Sequence, residues 1–395
     1  MNWIDEVINY KEELIEIRRY LHMNPELSFQ EKNTSKFIED YLTELNIPVV
    51  TNVGGYGLYG KLSGQSDGPT VLLRADFDAL PINDQKDVPY RSQVQGVMHA
   101  CGHDGHTAML LITAKILKKY ESEIKGNVVL CFQHAEEVLP GGAKSMIEAG
   151  ILEGVDFVFG THSSSSMETG DVGFITGPSY GNADSLKITI QGKGGHGATP
   201  HVTHDSIVAA SHLISQLQTI LSRSVDPIET GVVTIGEFKG GDAFNVIADR
   251  VTLTGTVRTY KEEIKNVIIQ RLHEISEGIE KSFNVKINLE YTHGYPALIN
   301  TALINSKKET LWLKNIAENI PSINNVVTTT PSLGGEDFAY FLKERPGCYF
   351  NTGVKNTSMQ ADYPHHHPKF DMDENGLLNG PKIFLALIEK MNELK

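Results

Sequence analysis

The sequence is poor in cysteine, with three in 395 residues. So sparse and odd a set does not make a disulfide scaffold and fits a reducing compartment. It also lacks positive charge: 35 basic against 49 acidic side chains give a formal net charge of −14. No Lys/Arg cluster offsets this, which argues against a nucleic-acid partner and against docking on an anionic membrane. A small anionic substrate stays open, because a few local arginines can dominate a pocket. No apolar run approaches the length of a membrane span. Residues 1–16 alternate apolar side chains with acids and show no basic start, apolar stretch or small-residue cleavage site, so no signal peptide is expected and the expected location is cytoplasmic. Internal repeats, low-complexity tracts and long linkers are absent as well.

What is present reads as ordinary globular protein: 40% hydrophobic and 21% charged residues. The length favours two domains. Helical periodicity covers 4–21, 32–45 and 107–120, and short apolar strands are expected at 57–62, 70–74, 127–133 and 156–160, with a helix near 143–149. This alternation predicts an α/β domain with a largely parallel central sheet. From about residue 182 the order becomes strand (185–191), helix (205–222), two strands (230–238, 250–260), helix (261–283) and strand (285–292). That is the ferredoxin-like order. The α/β rhythm returns after 294, with helices near 305–319 and 377–392 and a strand near 348–352. The expected domains are therefore 1–181 with 295–395, and an inserted 182–294.

Four stretches carry candidate chemistry. His99-Ala-Cys-Gly-His-Asp-Gly-His106 sets Cys101, His103, Asp104 and His106 just ahead of a helix, and thiolate and imidazole are preferred donors for zinc-like metals. Gln133-His-Ala-Glu-Glu137 follows the apolar strand that contains Cys131. Its adjacent glutamates should face different ways, one toward a metal and one toward a metal-activated water. His162 follows the apolar Phe157-Val-Phe159. His365, His366 and His367 stand between two prolines in a stiff segment. Each stretch alone has a bland reading as a polar loop or helix start. Together they converge, because three of the four lie at or beyond strand ends of an α/β sheet or at the helix that follows one, where such folds form sites. A binuclear centre, with metals roughly 3.5–4 Å apart, would polarise a carbonyl and supply the nucleophile, while a carboxylate handles the proton.

At these residues the sequence resembles the amidohydrolase branch of the co-catalytic aminoacylase/carboxypeptidase metallopeptidases, which includes hippurate hydrolase, N-acetyl-diaminopimelate deacetylase and the plant indole-acetyl-amino acid hydrolases. The landmarks are RADFDALP (74–81), MHACGHDGHTAML (98–110), QHAEE (133–137), GGA (141–143), GTH (160–162), GKGGHGATPH (192–201), FNVIAD (244–249), GTVRT (255–259), GGEDFAYF (334–341) and HHPKFDMDE (366–374). They span nearly the whole chain in the family's order.

The resemblance implies a zinc-peptidase-like α/β catalytic domain with a mixed, mostly parallel sheet, plus an inserted ferredoxin-like α+β lid that makes a homodimer. It implies Cys101, His103, Glu137, His162 and His366 as metal ligands, with Cys101 bridging and with His365 and His367 as competitors of His366. It implies Glu136 as general acid/base, Asp78 as a residue that orients a ligand, and His196 near the oxyanion. Asn245 and Arg258 match positions that hold the substrate carboxylate. The cofactors implied are two divalent ions per chain, zinc or manganese first, then cobalt or nickel. The expected reaction is hydrolysis of the amide of N-acetyl or N-benzoyl amino acids. The alternatives are a metallo-dipeptidase or carboxypeptidase, a cysteine amidase with Cys101 as nucleophile, or a non-catalytic binding protein.

Overall fold

The computed structural model describes residues 3–300 and 306–394. The chain forms two compact units, one of Met1–Ser179, Ile299–Pro331 and Asp337–Lys395, the other of Tyr180–Leu298 and Ser332–Glu336.

The larger unit is built on an eight-stranded mixed sheet. Its spatial order is Val49–Val53, Gly57–Ser63, Lys125–Gln133, Ser66–Asp76, Phe157–Glu168, Gly347–Lys355, Val172–Phe174 and Val326–Thr328. The central strands, Lys125–Gln133, Ser66–Asp76, Phe157–Glu168 and Gly347–Lys355, run parallel to one another. They read as continuous apolar runs because helices cover both faces of such a sheet. Antiparallel pairs sit toward the edges. Helices Lys11–Met23, His103–Lys119 and Asn379–Glu389 pack into the same apolar core as the sheet.

Two boundaries differ from the sequence expectation, and both bear on the site. The helix expected from Thr107 starts at His103, so His103 and His106 belong to its first turn. The strand expected to stop near Gly160 runs to Glu168, so His162 lies inside it rather than past its end. Pairing with Gly347–Lys355 through His162↔Asn351 and on to Glu168↔Lys355 supplies the backbone hydrogen bonds that the polar Ser163–Ser166 run does not advertise.

The smaller unit has the order Asp184–Gln191, helices Ser206–Leu217 and Thr219–Ser224, Gly231–Gly240, Arg250–Thr259, helix Glu262–Phe283 and Lys286–Thr292. Its four strands pair antiparallel, with Arg250–Thr259 and Asp184–Gln191 in the middle. Leu186, Ile188 and Ile190 alternate inward and meet Leu213, Leu217, Ile268 and Leu272 of the helices. This is a ferredoxin-like α+β arrangement.

Candidate metal centre

The site grows from the edge of the larger sheet. Gly102 turns the chain into the helix at φ +96°, and a Cβ there would sit 2.3 Å from Ser163 Oγ, so both backbone angle and space demand glycine. The turn sets Cys101 and His103 on either side of it. Strand Phe157–Glu168 brings His162 alongside, with its Nε2 3.4 Å from Cys101 Sγ. Strand Lys125–Gln133 ends into the loop that carries Glu136 and Glu137. His366 arrives on the last segment, tied down where its N–H donates to Ala100 O at 2.8 Å.

The ligand atoms of Cys101, His103 and His162 lie within 4.8 Å of one another, and so do those of Cys101, Glu137 and His366. Cys101 is common to both triplets. His366 Nε2 stands 3.3 Å from Glu137 Oε1. His103 Nε2 is 3.9 Å from Glu136 Oε2 and 3.9 Å from Glu137 Oε1.

Hydrogen bonds fix the imidazole tautomers. His103 Nδ1 faces the carbonyl of Asp78 at 3.0 Å and Asp78 Oδ1 at 3.1 Å. His162 Nδ1 faces the carbonyl of Ser163 at 2.6 Å. A carbonyl oxygen only accepts, so each Nδ1 carries a proton, and in the neutral ring, the form a metal requires, each Nε2 turns its lone pair toward the cluster. His103 Nε2 and Glu137 Oε1 are buried without a hydrogen-bond partner among the described residues. Orphaned buried atoms of this kind are costly unless something else satisfies them.

Charge points the same way. Burial lowers the basicity of His103, but Asp76, Asp78 and Glu137 outweigh it and raise its pKa to about 10, so without a cation the ring carries a second proton, which a bound metal ion would replace. Burial, then Glu137, Glu136 and Asp76, push the Cys101 thiol well above its ordinary value. A nucleophilic cysteine needs the opposite shift. A cation among the same groups would reverse the effect and hold the thiolate. Thiolate, two Nε2 imidazoles, a carboxylate and a third imidazole therefore fit a pair of divalent ions by donor chemistry.

Asp78 is buried and makes three useful bonds. Besides His103, its Oδ2 accepts from Ser28 Oγ at 2.6 Å and from the Glu137 N–H at 2.9 Å. The three C-terminal histidines separate. His366 faces Glu137, at a left-handed φ of +64°. The His365 ring stands edge-on to His162, with Nε2 accepting from Ser165 N–H at 3.4 Å. His367 stacks on Tyr363 and accepts from Lys369 N–H.

Sequence reasoning saw His106 beside Cys101 and His103 and the motif that opens at Arg74, but assigned no role in the site to His106, Arg74 or Asp76. His106 Nδ1 lies 2.6 Å from Asp76 Oδ1, and Arg74 spreads its guanidinium over Asp76, Gln133 and Asp337 at 2.6–2.9 Å. Asp76 is thereby committed to holding its neighbours. The signal was available, since residues 74, 76 and 78 alternate onto one face of an extended chain.

The remaining predicted residues belong to the smaller unit. His196 pairs with Val246 in a two-residue ladder and is exposed. Its Nδ1 accepts the Ala198 N–H at 3.0 Å, which leaves the proton of the neutral ring on Nε2. Asn245 O accepts from Gly197 N–H at 2.8 Å. Arg258 is half-buried and donates through Nη1 to the carbonyls of Asp184 and Val257 at 2.9 and 3.1 Å.

Comparison with known proteins follows the same lines. The model of peptidase family M20/M25/M40 matches residues 72–390. An N-acetyl-L-cysteine deacetylase of Bacillus subtilis is 41% identical over 93% of this chain and 85% of its own length. A thermostable carboxypeptidase of Saccharolobus solfataricus is 39% identical over 95% and 94%. Among solved structures, a dinuclear metal-binding M20 peptidase of Bacillus subtilis superposes with a TM-score of 0.84 at 33% identity, covering 98% of this chain and 99% of that one. With a family model over most of its length and relatives this similar over nearly all of it, the chain belongs to peptidase family M20/M25/M40 and is a hydrolase of its amidohydrolase branch.

Proposed function

We propose that the protein hydrolyses the amide bond of N-acyl amino acids at a binuclear metal centre held by Cys101, His103, Glu137, His162 and His366, with Cys101 shared. The observation that carries this is the convergence of imidazole Nε2 atoms, a buried thiol and a carboxylate, two of whose atoms are buried with no hydrogen-bond partner among the described residues, inside a field of excess negative charge. A deacetylase and a carboxypeptidase among the relatives fit one description. A C-terminal residue of a peptide is itself an N-acyl amino acid, so both reactions break an amide whose nitrogen belongs to an amino acid with a free carboxylate.

Two divalent ions, zinc by the thiolate and imidazole donors with manganese as the alternative, would supply Lewis acidity to the carbonyl and lower the pKa of a water. The chain's residues do the rest. Glu136, adjacent to the ligand Glu137, takes the water's proton and returns it to the departing amine. Asp78 holds His103 in its ligating tautomer and restrains the Glu137 backbone. His196 offers an Nε2–H donor for the oxyanion, while Asn245 and Arg258 offer donors for the substrate carboxylate. The edge strand Gly231–Gly240, with one rim unpaired among the described residues, suits a homodimer through the smaller unit in a cytoplasmic enzyme.

The test is metal content with amine release from N-acetyl-amino acids, N-benzoyl-amino acids and dipeptides, before and after chelation, on the wild type and Glu136→Gln. Two metals per chain and chelator-sensitive release are expected, with kcat in Glu136→Gln down about 10²–10⁴-fold at unchanged metal content. Chelator-insensitive turnover blocked by iodoacetamide would move the chemistry to Cys101.

A further inference from the structure

The loop that carries Glu136 holds a strained residue next to the base. Ala135 has φ +51°, a left-handed conformation that side chains with a Cβ avoid. Something must hold it there, and the hydrogen bonds show what does. The Ala135 N–H donates to Glu31 Oε1 at 2.8 Å, and its carbonyl accepts from Gly142 N–H at 2.9 Å. On the far side of Glu136, the Glu137 N–H donates to Asp78 Oδ2 at 2.9 Å. The amides that flank the base are thus each gripped by a buried carboxyl.

Glu31 is free to do this because another residue does its local work. It stands at the N-cap of helix Lys32–Glu44, yet its side chain makes no cap hydrogen bond. Glu26 caps that helix instead, accepting from Asn33 N–H at 3.2 Å and from Thr34 N–H at 2.7 Å. A fully buried glutamate in a cap position is relieved of capping the helix and, besides backbone contacts at Phe29 and its own amide, is bonded across 104 residues to a strained amide.

We infer that Glu31 is a positioning residue for Glu136, its carboxyl oxygen holding the Ala135 amide so that, with Asp78, the loop is clamped on both sides of the base. The inference rests on reading Glu136 as the general acid/base. What the clamp needs from residue 31 is an acceptor at a fixed reach, not a charge. Burial and nearby Asp78 raise the Glu31 pKa to about 8, so the neutral acid, which glutamine mimics, is the form in place near pH 7.

The experiment compares Glu31→Gln, Glu31→Met and Glu31→Asp in the metal-loaded enzyme, using the fastest substrate of the panel above. It reads kcat, KM, metal content and hydrogen exchange of the segment 133–138. Glutamine keeps the acceptor and is expected to keep kcat and amide protection. Methionine keeps the volume without an acceptor. It is expected to lower kcat about 10–100-fold, the cost of misplacing a catalytic group by about 1 Å, at unchanged KM and metal content and with faster exchange. Aspartate shortens the reach and is expected to behave as methionine does; it decides the matter if the methionine variant does not fold.

Wild-type kcat per folded molecule in Glu31→Met, or in Glu31→Asp where methionine fails to fold, overturns the inference. Equal losses in Glu31→Gln and Glu31→Met also overturn it, since they would make charge the requirement. Glu136→Gln run alongside separates the two claims. If it is inactive while Glu31→Met is normal, only the clamp is wrong. If it turns over normally, the reading of Glu136 falls and the clamp with it.

Discussion

The two units bury charge to different degrees: the smaller one buries Asp184, near Lys265 and accepting from Tyr291 Oη, beside an otherwise aliphatic core. In the smaller one the interior is a run of aliphatic side chains, Leu186, Ile188, Ile190, Leu213, Val251 and Leu272 among them, with strands that alternate inward and outward. In the larger one Arg18, Arg74, Asp76, Asp78, His103, Asp104 and Glu136 are all buried. Burying a charge is expensive unless it is paired and hydrogen-bonded. These charges form connected sets. Arg18 reaches Asp104, Asp371 and Glu374 at 2.8–3.3 Å, joining the N-terminal helix, the helix of His103 and the segment that follows His366. Arg74 joins Asp76, Gln133 and Asp337. The lesson is that the smaller unit is held mainly by its apolar pattern and the larger one in good part by ion networks wrapped around the candidate centre.

Replacing one charge at the heart of such a network breaks the comparison most directly. Arg74→Met keeps the volume and strips Asp76 and Asp337 of their guanidinium. It is expected to cost about 3–5 kcal/mol in denaturant unfolding, because a buried carboxylate that loses its partner is penalised heavily. Ile188→Val in the smaller unit should cost only about 0.5–1.5 kcal/mol. Equal losses would mean that the buried ions contribute no more than ordinary packing.

A pH experiment sharpens the same contrast at one residue. Burial holds the Glu31 pKa at about 8 in the folded protein, above its ordinary value of 4.5. The folded state therefore binds this proton more tightly than the unfolded one, and the contribution of Glu31 to stability is lost as pH rises from about 4.5 through about 8. Glu31→Gln carries no titrating group there. Its stability relative to the wild type should rise across that window, by a few kcal/mol at ~1.4 kcal/mol per pKa unit. Urea unfolding of both proteins at pH 5, 7 and 9 checks this. A difference that stays flat with pH would show that Glu31 titrates in the native protein as it does in water.

The same opposition explains what was legible in the sequence. The smaller unit's elements agree with their expected spans to within a few residues, because alternation and helical periodicity report a core built from apolar side chains. In the larger unit the pattern fails where chemistry replaces packing. The helix was expected to begin at Thr107 because its apolar stripe begins at Met109, while the true first turn spends its positions on His103, Asp104 and His106. The strand through His162 was cut short because Ser163–Ser166 looks like a loop. The motifs brought the donors forward by residue type. Asp76 and Glu31 stayed hidden because their partners, Arg74, His106 and Ala135, are found only by folding the chain.

The smallest expected effect concerns the histidine run, where sequence alone left three residues in competition. His366 Nε2 faces Glu137 within the cluster, whereas His367 stacks on Tyr363 and, among the described residues, hydrogen-bonds within its own turn. His367→Ala removes an aromatic contact at a partly exposed position and should change stability by about 0.5 kcal/mol or less, with metal stoichiometry intact. His366→Ala removes a donor from one of the two triplets and should lower metal content toward one per chain. Elemental analysis of the two variants after dialysis separates them. Metal lost from His367→Ala and kept in His366→Ala would reverse the assignment, and would mean that the segment 364–368, held at a left-handed φ at His366, turns over when a cation binds.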